Sequence, residues 1–503
     1  MSNSRQEART TRQAPAVATA CCAQGWRGVL WALGVGLGLL ASACPTRADV
    51  VAGPAFSTFQ LTLKEGERTE VVSPFYYSQK FEDITQWAIP PFMSYTRDDS
   101  IDAVEFDFFY PALSYDRFGA EYRFHVGQLF NFSGGVKEAE TNKQRFAIFP
   151  IYMQQRSTDT NENYTSVFPF HGQLKNRLFR AEISYTLFPL YAYTRKRDVH
   201  TYNYLFPIVH VRHGDALEGW HGWPLVGHET KTPVMRTNSW GDEVLVPGHD
   251  KKFALWPLIL NQHADIGGTN QEHIQSVIPF YRLTRSPNRH VTAIPFLGGW
   301  SMTYDREKKY QELGAPWPLV VFRDGETSRT RRVWPFYSRA TNEFVESTWY
   351  LWPVYKYNRV HSDPLDRDRM RILLFLYSDT IERNTEAGIA LRRRDFWPFY
   401  THRRDWDGHT RLQVLAPLEP MIPNNKSIER NYSPLWSVWR DERNAKSGAR
   451  SQSLLWNLYR RDVRDGESKT SAFFGLVQCA SRGETRRWRL FYWPQKPAGT
   501  AAA

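Results

Sequence analysis

Short apolar runs of about five or six residues alternate with longer charged stretches along most of the chain. The runs share one pattern: two apolar residues, a proline, an apolar residue and often a tyrosine. Ile148-Phe149-Pro150-Ile151-Tyr152, Leu187-Phe188-Pro189-Leu190-Tyr191, Val333-Trp334-Pro335-Phe336-Tyr337 and Phe396-Trp397-Pro398-Phe399-Tyr400 are typical. The prolines at 150, 169, 189, 207 and 224 are about 17 to 20 residues apart, and those at 257, 279, 295, 318, 335 and 353 about 16 to 23. Degenerate copies keep the phase: Leu373-Leu374-Phe375-Leu376-Tyr377, Leu455-Trp456-Asn457-Leu458-Tyr459 with Asn457 in the proline slot, and Phe473-Phe474-Gly475-Leu476 with Gly475 there. Tyr492-Trp493-Pro494 closes the series. A self-similar period of this length marks a repeated supersecondary unit.

Short aromatic runs bounded by charge read as strands. Arg331-Arg332 precede Trp334 and Arg339 follows it; Asp324-Gly325, Asp407-Gly408 and Asp465-Gly466 supply hairpin turns. One strand and one turn fill the period. Too little chain remains for helical crossovers, so neighbouring strands pair antiparallel in sequence order. The expected fold is all-β: a long antiparallel meander of about twenty strands, closing into a large barrel. The proline sits awkwardly in this scheme, because it cannot donate to a ladder, and bulges at its level would have to absorb it.

Such a meander must close, stack or be covered. An outer-membrane barrel accommodates the period and the aromatic content. A parallel β-solenoid and a soluble layered body are the alternatives. Two observations oppose the barrel. The runs would cover only about 17 to 20 Å at about 3.3 Å per residue, against a lipid band about 25 Å tall. In Val333-Trp334-Pro335-Phe336-Tyr337, moreover, neither alternate set is polar.

Composition narrows the setting. Aromatic residues make up 15% and charged residues 23% of 503, with a formal net charge of +12. That excludes a disordered chain and suits anionic lipid or acidic glycans. Residues 28–43 are an apolar, glycine-rich stretch preceded by Arg27 and ending in Ala41-Ser42-Ala43, the form of a secretory signal peptide. Cleavage after Ala48 gives an ordinary mature start. Cleavage before Cys44 would expose a residue for lipidation, although Ala41 stands where a lipobox has leucine. Export makes nucleic acid an unlikely partner. Three of the four cysteines (Cys21, Cys22, Cys44) lie in or beside the leader, and Cys479 reads as an inert buried thiol. The expected organisation is a leader region at 1–48, an N-terminal β segment at 49–145, a continuous repeat region at 146–494, and a disordered tail at 495–503.

Candidate chemistry is sparse. His221, His228 and Glu229 could contribute to a zinc site, but their spacing is not helical and no third ligand is fixed. Asp363, Asp366 and Asp368 form an acidic cluster without the pattern of a calcium loop. Arg392-Arg393-Arg394 could meet lipopolysaccharide phosphates, or simply deter edge pairing. No phosphate loop or nucleophile elbow is present. No catalytic, cofactor or metal residues are assigned, and Cys44 is the single candidate modification site.

The motif series resembles a group of uncharacterised bacterial secreted proteins with recurrent Trp-Pro-Leu-Tyr strands. Phe188-Pro189-Leu190-Tyr191 and Leu351-Trp352-Pro353-Val354-Tyr355-Lys356-Tyr357-Asn358-Arg359 carry the resemblance best. The segment from Tyr115 to Arg123 lacks the proline, and Trp488-Arg489-Leu490-Phe491-Tyr492 matches more loosely. The resemblance implies no activity. Likeness to outer-membrane barrels is architectural only, since a polar tail follows Trp493 where those proteins end on an aromatic residue. The expected function is a non-enzymatic outer-membrane barrel, acting as a pore or structural component and contacting lipid or lipopolysaccharide. The alternative is an exported or lipid-anchored, non-catalytic binding or scaffold protein, located in the periplasm or at the cell surface, with glycans among its ligands.

Overall fold

The computed structural model describes residues 51–491 except 128, 136–142, 239 and 297. The leader, Cys44, Trp493 and the C-terminal tail lie outside the described residues. Chain contacts separate 1–49 from 50–503. Among the described residues a single sheet of 43 strands runs in chain order, every pairing antiparallel; a separate hairpin, Val234–Thr237 with Glu243–Val246, is inserted between two neighbours. The strand Lys143–Ile148 pairs on both sides, so the sheet continues across 145/146.

The meander is as expected, but its strand count is more than double, because the apolar motif is not a strand. Arg180–Thr186 and Tyr191–Lys196 are strands, and Leu187-Phe188-Pro189-Leu190 is the turn between them. A polar turn at Arg197-Asp198 leads into Val199–Tyr204. The next apolar turn, Leu205-Phe206-Pro207-Ile208, leads into Val209–Gly214. Each period thus holds two strands and two turns. The charged flanks are the ladder itself.

Proline explains the assignment. In a turn its missing N–H costs nothing, whereas in a strand it would interrupt the ladder. The Leu190 N–H donates to the Leu187 carbonyl at 2.8 Å, and the Ile208 N–H to that of Leu205 at 2.8 Å. These bonds place Pro189 and Pro207 at the third position of a tight turn, and the peptide before each is cis. Gly475, with φ +89°, occupies that slot where proline is absent. These turns need no bulge at the proline level; the strand Tyr310–Trp317, which contains Pro316, does show a register shift there, opposite Gly299 and Ser301.

Alternation, hidden in the apolar runs, is clear in the true strands. Tyr191, Tyr193 and Arg195 point to one face, and Ala192 and Thr194 to the other. The register sets Tyr191 opposite Tyr204 and Ala192 opposite Asn203. Followed across the sheet, the Ala192 face carries many small or polar residues: Ser94, Ser166, Ser276, Ala293, Ser301 and Ser338 are buried there. A Cβ on Gly172 of this face would lie 2.6 Å from both the Ser166 and Tyr185 hydroxyls.

This same face meets itself. The Tyr77 hydroxyl donates to the Arg430 carbonyl at 3.1 Å, and the Asn457 amide to Glu70 at 2.6 Å. The Arg460 guanidinium lies over Phe59, 3.4 Å from the ring centre. The sheet is therefore concave on its small-residue face, with early and late strands brought together by side chains. Val51–Ala52 pairs only with Phe56–Gln60, and Thr485–Leu490 only with Val477–Arg482. Among the described residues no ladder joins these two ends.

Candidate functional site

Because every second turn is apolar, these turns gather along one edge of the sheet and form a rim. Their backbones are laddered: the N–H of Phe188 donates to the carbonyl of Pro169, Phe206 to Pro189, Trp256 to Pro224 and Trp352 to Pro335, at 2.6 to 2.8 Å. Their rings pack tilted against one another from turn to turn, with centroids 5.4 Å apart for Phe168–Phe188, 5.5 Å for Phe188–Phe206 and 6.0 Å for Trp223–Trp256. The rim nevertheless stays exposed. Phe149 and Phe170 each present 63% of their surface, Phe336 62% and Phe473 65%. An apolar strip running the length of a sheet far exceeds the scattered apolar exposure of a soluble surface.

Behind the rim the convex face is graded. The first row holds tyrosines, with Tyr337, Tyr350 and Tyr355 at ring separations of 5.3 and 5.7 Å. The second row keeps aromatics, among them Trp87 and Tyr95, 5.9 Å apart. The third row, nearest the opposite edge, is largely charged. There Asp366 pairs with Arg359 at 3.1 Å and Asp368 with Arg383 at 2.6 Å. Turns at the opposite edge are mainly Asp, Asn and Gly. Leu178 and Phe179, 74% and 96% exposed, depart from this.

The second feature is the seam. A short helix, Lys426–Asn431, begins at Asn425, whose side chain accepts the Ile428 N–H at 3.0 Å. It wedges between early and late strands. Arg430 pairs with Glu105, and with Asp107 at 3.0 Å; Asn431 donates to Asp107 at 3.1 Å. On the other side Glu429 pairs with Arg403, and with Arg411 at 3.7 Å. Burial disfavours charge on Glu429, but Arg411 and Arg403 outweigh it and hold the carboxyl below its usual range. Burial likewise opposes charge on Arg430, yet Glu105 and Asp107 raise its pKa above the ordinary value. Beside the helix lies a cavity of about 530 Å³.

The residues singled out from sequence are dispersed. His221 is on the concave face, its ring 4.1 Å from that of His210 and 5.2 Å from Phe253; His228 is on the convex face, 2.8 Å from Asp250. Glu229 is buried between Arg212 and His249, the latter at 2.8 Å. Burial, with His221 and Arg212 nearby, pushes His210 down to about 4. These side chains lie in strands, not loops. Among the described residues no three His, Cys, Asp or Glu side chains are placed to hold a metal ion. Asp363 lies within 3.4 Å of the Thr385 hydroxyl, away from the ion pairs of Asp366 and Asp368. Arg392 and Arg394 face Asp379, at 2.6 and 3.7 Å, while Arg393 turns to the concave side and meets Asp395 at 2.7 Å. Cys479 is a half-buried free thiol. Sequence reasoning missed the seam helix and its partners. Arg430 and Asn431 are separated from Glu105 and Asp107 by more than 300 residues, which leaves no local signal.

No protein-family model matches the chain, and comparison with curated proteins gives no significant match.

Proposed function

We propose that this protein is a structural component of the bacterial envelope, seated at the outer membrane by burying its apolar rim in one leaflet. The continuous exposed rim carries this reading. Tyr and Trp behind it suit the headgroup level, where rings with a polar tip are favoured. The formal charge of +12 favours an anionic surface. Seating in one leaflet fits better than crossing. A six-residue strand covers about 20 Å, and its far third is charged, whereas a crossing barrel needs an apolar band about 25 Å tall.

The test is flotation of the purified protein with vesicles of phosphatidylethanolamine and phosphatidylglycerol. The protein should float, and lipids brominated near the headgroup should quench its tryptophan fluorescence. Replacing Trp334, Phe336 and Trp352 together by serine should abolish flotation while circular dichroism remains that of a sheet. Equal flotation of the triple variant, or none of the unaltered protein, overturns the reading.

A further inference from the structure

The seam cavity has an unusual charge arrangement. Most cations in its wall are matched: Arg68 with Glu70 at 2.7 Å, Arg460 with Asp462 at 2.6 Å, Arg430 with Glu105 and Asp107, and Arg411 with Glu442 at 3.5 Å. Lys426 lines it too, in no ion pair among the described residues, and so does Arg440. It stands opposite Gln413 and Ser453 in the ladder, and no carboxylate lies within ion-pair distance of it among the described residues. Burial, with Arg411 and Arg68 nearby, pushes its pKa down to about 10, so it keeps its charge at neutral pH. Glu442 and Glu70 favour its charge from beyond ion-pair distance, so the half-buried guanidinium keeps donors free to pair an anion that enters the cavity.

The rest of the wall is mixed: an apolar strip runs through it beside Lys64, Gln79, Gln86, Asp98 and Glu105. From Arg440, near the rim, the cavity runs along the strands past Phe81 and Ile84 to Leu63 and Ile101 at the opposite edge. Its volume lies within the range of small-molecule sites, which join apolar walls to a few polar anchors. We propose that this cavity binds an anionic amphiphile, a short acyl or alkyl chain bearing a phosphate or carboxylate head, with Arg440 pairing the head and the apolar strip of Phe81, Ile84, Leu63 and Ile101 taking the chain. A planar guanidinium serves either head group through paired N–H donors. The proposal does not depend on the rim's meeting a membrane.

Titration calorimetry of the whole protein tests it, with octyl phosphate, octanoate, inorganic phosphate and octanol, all below any micellar concentration. Octyl phosphate and octanoate should each fill one saturable site. Octanol should bind at least about tenfold more weakly, as the loss of a charge-assisted pair implies. Inorganic phosphate should also bind more weakly than octyl phosphate; equal affinity would mean a free-anion site and overturn the amphiphile. Arg440→Gln should weaken octyl phosphate at least about tenfold, and Arg440→Lys less. Unchanged affinity in Arg440→Gln, or non-saturating binding as on an open rim, overturns the proposal. Should Arg440→Gln not fold, the thermal shift of the unaltered protein decides: octyl phosphate must raise the melting temperature more than octanol, and equal shifts overturn it.

Discussion

The backbone N–H of Phe188 donates to the carbonyl of Pro169 at 2.7 Å, and the Phe188 ring lies 5.4 Å from that of Phe168, one apolar turn back along the edge. Backbone and ring contacts thus repeat in step, and the edge becomes one continuous ridge. Proline is suited to the third position of these turns because its carbonyl accepts the next turn's N–H while it has no N–H of its own left to satisfy.

This geometry makes glycine necessary where the concave face is tight. Gly172→Val would push a side chain into Ser166 and Tyr185 and should cost about 1–3 kcal/mol, as overpacking does. Gly388→Ala, at φ +64° with open space around it, should cost only about 1 kcal/mol from backbone conformation. Urea melts of the two variants should rank them in that order.

Arg430→Met tests the seam helix. It leaves Asp107 buried without its cation and should destabilise by about 3–5 kcal/mol. Arg329→Met, at an exposed pair with Asp324, should cost less than about 1 kcal/mol. Similar losses in both variants would show that the helix does not fasten the seam.

Acid should weaken the protein. Burial, with His221 and Arg212 nearby, holds the folded pKa of His210 at about 4, below the ordinary 6.5 of histidine, so between those values the unfolded chain binds more protons and stability falls as pH falls. His221 is displaced in the same direction, mainly by burial. Glu229 and Glu429 are held below their usual range, which adds a loss at lower pH as they are protonated. His210→Asn should therefore lose less melting temperature between pH 7 and pH 5 than the unaltered protein. A parallel decline would assign the acid sensitivity elsewhere.

Rim substitutions should affect binding more than folding. Phe336→Ser removes an exposed side chain and should change stability by less than about 1 kcal/mol, with weaker vesicle binding. Trp397→Ser should destabilise more, because its indole N–H donates to the Pro417 carbonyl at 3.0 Å and its ring packs on Phe375. Melting curves run beside flotation separate the two effects.

The all-β class and the antiparallel meander were legible in the chain, because short-range turn chemistry and charge spacing recur along it. Which part of each period is strand was not. An apolar run of five residues satisfies the pattern of a buried strand, and only the ladder shows that Tyr191–Lys196, with its charged end, carries the pairing. The proline was the available signal, since a residue without an N–H belongs where no ladder bond is due. The concave face and the seam depended wholly on tertiary structure. Arg430 and Asp107 meet only when a long sheet curls, and the direction of curl follows from small side chains summed over many strands. Arg440 looks like any strand arginine in sequence. That no carboxylate among the described residues comes within ion-pair distance of it is a property of the cavity wall that early and late strands build together.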